Sequence, residues 1–177
     1  MNFIKRLDNK IWLLLTNTMP NMYIYRGYYD RLNQSYNEQM KNAKKLIWMD
    51  ISRTYANIIS QHTKDQMLRI LYNYSKRNME MGYCQGLNFI CYYFLTNGFS
   101  EEETFWILAY IIEEIIPKNY YINMVPLLSD TKILKHILEL KFPLFIEHIK
   151  DLYIDLNFIL IPWFVMVFTN LKHNEVT

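Results

Sequence analysis

Glycine lets a chain turn on a positive φ, and this chain has only four in 177 residues. Two of them, Gly82 and Gly86, fall within the stretch Met81-Gly82-Tyr83-Cys84-Gln85-Gly86-Leu87-Asn88. Elsewhere there is little to break a helix, since prolines number five, and Leu, Ile, Met and Lys are abundant. Such a chain folds as helices with short connections, and the glycine pair marks a shaped loop between two of them. Before the loop, Met67, Ile70, Leu71 and Tyr74 recur at helical spacing; after it, Leu87 to Leu95 is almost wholly apolar. The expected class is all-α. Gln85 then sits where the chain turns and where a second backbone could come near. Taken alone, a glutamine beside a glycine is turn chemistry or a backbone cap.

A second element lies upstream, in Ile47-Trp48-Met49-Asp50-Ile51-Ser52-Arg53-Thr54. Asp50 and Arg53 are three apart, so one helical turn puts both on the same side, where they form at least a surface ion pair worth under about 1 kcal/mol. The two elements together resemble the TBC family of Rab GTPase-activating proteins. That family carries I-x-x-D-x-x-R and then Y-x-Q-G, matched here by Ile47, Asp50 and Arg53 and by Tyr83, Gln85 and Gly86. The resemblance implies Arg53 as a catalytic arginine and Gln85 as a catalytic glutamine, with Asp50, Tyr83 and Gly86 in support. It extends through Tyr120-Tyr121, Met124-Val125, Asp130, Pro162-Trp163-Phe164 and Phe168. The family's first motif, R-x-x-x-W, is matched at Trp12, whereas its arginine position holds Asp8. A proline common in the family after the arginine motif is here Ala56.

What the resemblance implies is an irregular multi-helix TBC-type domain over residues 1–177, lacking its last helices, in which residues 1–45 form basic N-terminal helices and residues 46–177 a motif-bearing core. It implies a Rab-type small GTPase as partner, with GTP and magnesium belonging to that partner and no cofactor of this chain's own. Vesicle trafficking would be the setting, in the cytoplasm or peripherally on endomembranes. A non-catalytic Rab-binding module and a helical scaffold stand as alternatives. In the chain itself, no acid–base pair, nucleophile–histidine pair or metal set stands out as an autonomous active site.

Composition narrows the remaining classes. Half of the residues are apolar and 16% aromatic, enough to bury a core and to exclude disorder. The net charge of +2 conceals an asymmetry, because residues 1–45 carry eight basic against three acidic residues and residues 46–177 eleven against fourteen. The basic arm lacks the dense stripe or module that nucleic-acid binding normally shows, and reads as a solvated face, with a membrane-surface or acidic-partner contact as the secondary reading. Cys84 and Cys91, expected two helical turns apart on one side, make no C-x-x-C, and with no secretory signal they suggest a reducing compartment. His62, His136, His148 and His173 have no metal-ligand spacing.

Along the chain, Ile4 to Thr16 reads as a short amphipathic helix anchored by Trp12, ended by Pro20 and followed by a second helix over Tyr23 to Met40. Thr63-Lys64-Asp65-Gln66 and Ser100-Glu101-Glu102-Glu103 have the form of capping boxes, and Asn97-Gly98 of a helix stop. Pro117 ends a helix carrying Phe105, Trp106, Leu108 and Ile112. A loop is expected over Asn119 to Leu128, then a helix capped by Asp130 and containing Ile133, Leu134, Ile137, Leu138 and Lys141, which Pro143 interrupts and restarts. The run Phe158 to Phe168 contains Pro162, is too short to span a bilayer and reads as a buried helix. The seven residues Leu171 to Thr177 cannot cover it, so the chain by itself is expected to expose an apolar patch.

Overall fold

The computed structural model describes residues 3–54 and 58–169, with side chains from residue 9 onward. Ala56, Leu171 to Thr177 and the side chain of Asp8 lie outside the described residues. The protein is all-α, and the described residues contain no strand. Two compact units divide it, Met1–Lys118 and Asn119–Thr177.

The first unit is built from α1 (Phe3–Leu15), α2 (Thr18–Ile24), α3 (Tyr28–Gln34), a 3-10 turn (Glu38–Met40), α4 (Lys41–Arg53), α5 (Gln61–Arg77), α6 (Leu87–Thr96) and α7 (Glu101–Tyr110), which runs on into a π-helical turn, Ile111–Ile115. Helix α5 packs against α4, α6 and α7. Its Met67, Ile70, Leu71 and Tyr74 are fully buried, as their spacing predicts. Ile47 and Ile51 from α4, Leu87 and Ile90 from α6, and Phe105 to Leu108 from α7 complete the core. Because Thr104 through Ala109 are all buried, α7 has no polar face and lies inside the unit. Trp12 meets Phe94 edge-on with ring centroids 5.3 Å apart, and Asn9 Nδ2 donates to the Asn97 carbonyl at 3.0 Å, so α1 is fastened as its tryptophan suggests.

The corner between α6 and α7 is satisfied locally. Gly98 takes φ +92°, its N–H bonds the Leu95 carbonyl, the Phe99 N–H bonds the Phe94 carbonyl, and the rings of Phe94 and Phe99 pack 5.4 Å apart. Ser100 then caps α7 in the expected box, its hydroxyl accepting from Glu103 N while Glu103 accepts from Ser100 N.

Several expectations are corrected. Tyr23 to Met40 is not one helix: Gly27 at φ +72° separates α2 from α3, and extended Ser35 and Asn37 separate α3 from the 3-10 turn, where Asn37 accepts from Gln39 N. Pro20 does not end a helix but sits in the first turn of α2, where its missing N–H has no intrahelical acceptor. The cap of α5 is Ser60, whose hydroxyl accepts from Thr63 N, so that helix starts before the Thr63 box. Cys84 precedes α6 while Cys91 is buried within it, so the two do not share a helix.

The second unit contains α8 (Val125–Lys141), α9 (Pro143–Asp151) and α10 (Asn157–Val165). Pro143 restarts the helix as expected, with Phe142 between the two segments. The loop after Asn119 is shorter than predicted, because Pro126 near the start of α8 is already suited to a first turn. Asp130 is therefore interior to α8 and accepts from the Tyr120 hydroxyl at 3.0 Å instead of capping. Ile146, Leu156 and Leu160 form a small core against Leu134, Leu138, Ile159 and Trp163. Helix α10 is buried at Leu160 and Val165, whereas Phe158 is 80% exposed, so its burial is one-sided. No helix among the described residues is long and apolar enough to cross a membrane.

Candidate functional site

The C-terminal end of α4 and the start of α6 meet in a cleft lined by Asp50, Arg53, Thr54, Gln85, Asn88 and Phe89. Arg53 is the last residue of α4, a position where the helix dipole favours a cation. Its Nη2 donates to Asp50 Oδ1 at 2.5 Å, yet the Arg53 side chain remains 68% exposed while that of Asp50 is only 11% exposed. The carboxylate is thus the fixed partner and the guanidinium the presented one.

Asp50 is fixed from its other oxygen. Tyr83 donates its hydroxyl proton to Asp50 Oδ2 at 3.0 Å; the 3.5 Å approach to Asn88 Oδ1 is secondary, since the phenol has one proton to give. Burial first, and then Asp50, push the Tyr83 phenol well above its usual range, so it stays protonated and remains a donor. Asn88 ties the two segments a second time: its Oδ1 accepts from Gly86 N at 3.0 Å and its Nδ2 donates to Thr54 Oγ1 at 2.5 Å. Thr54 in turn donates to the Asp50 carbonyl at 2.7 Å. Thr54 and Asn88 are both buried, so each bond in this chain satisfies a group that water cannot reach.

Gly86 caps α6 at φ +106°, a backbone state that a side chain would strain. That turn leaves Gln85 exposed, and its carboxamide makes no hydrogen bond to another described residue. Asn88, and not Gln85, is the side chain that bonds the backbone of this turn, accepting from Gly86 N. Beside Gln85, burial and then Asp50 push the Cys84 thiol up to about 11, which favours the thiol over the thiolate at neutral pH.

All five residues singled out in the sequence therefore come together, with Asp50, Arg53 and Gln85 on the cleft and Tyr83 and Gly86 in the bonds behind it. Thr54 and Asn88 were missed as members. The available signal was Asn88 itself, a polar residue at the start of an apolar helix, which only a buried partner makes tolerable. The cleft holds about 90 Å³, far below the roughly 300–1,000 Å³ of a small-molecule pocket, and it presents a cation and an amide outward rather than enclosing a substrate.

The family described as Rab-GTPase-TBC domain matches residues 5–176. Growth hormone-regulated TBC protein 1 of Homo sapiens is 30% identical over 168 residues, covering 92% of this chain and 49% of that protein. TBC1 domain family member 2A of Homo sapiens is 29% identical over 167 residues, covering 91% of this chain and 18% of that protein. The chain thus spans about half the length of the first relative and less than a fifth of the second. The crystal structure of the Chlamydomonas flagellar RabGAP TBC domain superposes with a TM-score of 0.79 at 23% identity, over 94% of this chain and 56% of that one, which establishes the fold.

Proposed function

The chain belongs to the Rab-GTPase-TBC domain family, and from that premise we propose that it stimulates GTP hydrolysis by a Rab-type small GTPase, supplying Arg53 and Gln85 in trans. The observation that carries the reading is the pairing of an exposed guanidinium and an exposed carboxamide, without a bond to another described residue, on one cleft held by a buried polar network. Hydrolysis needs positive charge on the γ-phosphoryl oxygens and an in-line water, and a slow GTPase lacks part of both. The planar, permanently charged guanidinium of Arg53 suits the first need, since it can give several hydrogen bonds to phosphate oxygens at once. Gln85 suits the second, because its amide can accept from and donate to the attacking water. Asp50 orients Arg53 until phosphate oxygens replace it as acceptor. GTP and magnesium belong to the GTPase, which acts at a cytoplasmic membrane surface.

The experiment is single-turnover GTP hydrolysis by a panel of Rab proteins with and without the chain. A stimulated GTPase whose own switch glutamine is changed to leucine should still respond, while Gln85→Ala should abolish the response. Insensitivity to Gln85→Ala together with sensitivity to the switch substitution would assign the catalytic glutamine to the GTPase. Binding without stimulation by any member would make the chain a Rab-binding module.

A further inference from the structure

A second cavity lies at the other end of α4. It holds about 390 Å³, within the range of small-molecule sites, and sits between the end of α3, the first turns of α4 and the middle of α5. Tyr72 forms one wall, and two ammonium groups share its ring, Lys76 Nζ at 4.7 Å and Lys44 Nζ at 5.6 Å from the centroid. Among the described residues neither forms an ion pair; Lys76 instead donates to the neutral carbonyls of Leu32 and Ser35. The other cations of the wall are matched, Lys41 by Glu38 at 3.6 Å and Arg69 by both oxygens of Glu101 at 2.7 Å. Lys44 is thus left over in the wall, and Lys76, outside the wall, shares its Tyr72 ring.

Their placement also breaks a local rule. The first turns of α4 carry Lys41, Lys44 and Lys45, and the nearest acid, Glu38 of the preceding 3-10 turn, is paired with Lys41, although the positive end of the helix dipole favours carboxylates there. Burial, and then Lys44, lower the affinity of Lys76 for its proton, so the arrangement is costly without a ligand. Charges kept at a cost beside an open cavity mark a site that an anion completes.

We propose that this cavity binds a phosphate ester, with Lys44 taking the phosphate, Lys76 adding positive charge from beside the Tyr72 ring, and the polar side chains of Asn33 and Ser35 taking the hydroxyls of the group it is attached to. The site is independent of Arg53 and Gln85, about 14 Å from Arg53 along the nine residues of α4 that separate it from Lys44. The ester can be free or the headgroup of a lipid.

Calorimetric titration of the full chain with inorganic pyrophosphate, and sedimentation with phosphatidylcholine vesicles carrying phosphatidic acid, test the two sources. Saturable binding in either arm is expected; pyrophosphate alone assigns a free ester, and vesicle binding that pyrophosphate displaces assigns a lipid headgroup. Lys44→Gln should weaken binding about tenfold, the order expected for one lost charge-assisted hydrogen bond, while Lys44→Arg retains it. Lys10→Gln removes the same charge from exposed α1 and should leave binding unchanged. No saturable binding in either arm, or equal loss with Lys10→Gln and Lys44→Gln, would overturn the proposal.

Discussion

The two ends of α4 both present cations, and they hold them in opposite ways. At the C-terminal end Arg53 runs with the helix dipole, pairs with Asp50, and rests on a buried relay through Tyr83, Asn88 and Thr54. At the N-terminal end Lys44 runs against the dipole, pairs with no carboxylate among the described residues, and lines an open cavity. Between them Ile47 and Ile51 are fully buried and fix the helix in the core. The contrast separates two ways of readying a charge: geometry imposed by satisfied buried hydrogen bonds, and electrostatic frustration that a ligand would relieve.

The comparison is broken most severely by Arg53→Ala. Stimulation of the responsive Rab should fall by about 10³ or more, with Arg53→Lys no better, because an ammonium cannot reproduce the forked contact. Stability should stay within about 1 kcal/mol of the parent, as for any exposed pair. Retained stimulation in the hydrolysis assay would reduce Arg53 to a surface ion-pair partner.

Removing the relay instead of Arg53 separates stability from the proposed chemistry. Asn88→Ala leaves the buried Gly86 N–H without its acceptor and Thr54 without its donor, and should cost about 1–3 kcal/mol in urea unfolding. If the loss is no larger than for Arg53→Ala, the relay is not what holds the site. The smallest effect lies at the opposite end and has the opposite sign: Lys44→Gln should raise stability by about 0.5 kcal/mol, by relieving the dipole and the repulsion from Lys76. A destabilised Lys44→Gln protein would show that the lysine is a structural cation.

What the sequence made legible follows how local each cause is. Ser100, Asn97 and Gly98 act on groups within a few residues, and their corner was predictable, as was the buried side of α5. The Ser60 cap was missed because Thr63 also has capping chemistry, and only the pairing of its own N–H shows which residue caps. The breaks at Gly27 and Ser35 were hidden by tyrosines that fit a helix equally well and are held by rings from elsewhere, such as Phe105 against Tyr29 at 5.1 Å. At the site, the family resemblance singled out Asp50, Arg53 and Gln85, while Asn88 and Thr54 owe their roles to a contact across 34 residues that no periodicity encodes.

The corner at 97–100 has a consequence for the order of folding. All its turn bonds join residues at most five apart, so α6 and α7 can close on each other at little loop-closure cost. The glycine loop is different, since Tyr83 and Asn88 are satisfied only once α4 has arrived. Pulsed hydrogen exchange during refolding should therefore protect Phe99 N–H before the loop that carries Gln85 is fixed, with low contact order setting the sequence of events. Simultaneous protection of Phe99 and Gly86 would mean that the unit folds in a single step. If Phe99 is protected first, the segment bearing the proposed glutamine finger is the last part of the unit to take shape and, run in reverse, the first to open.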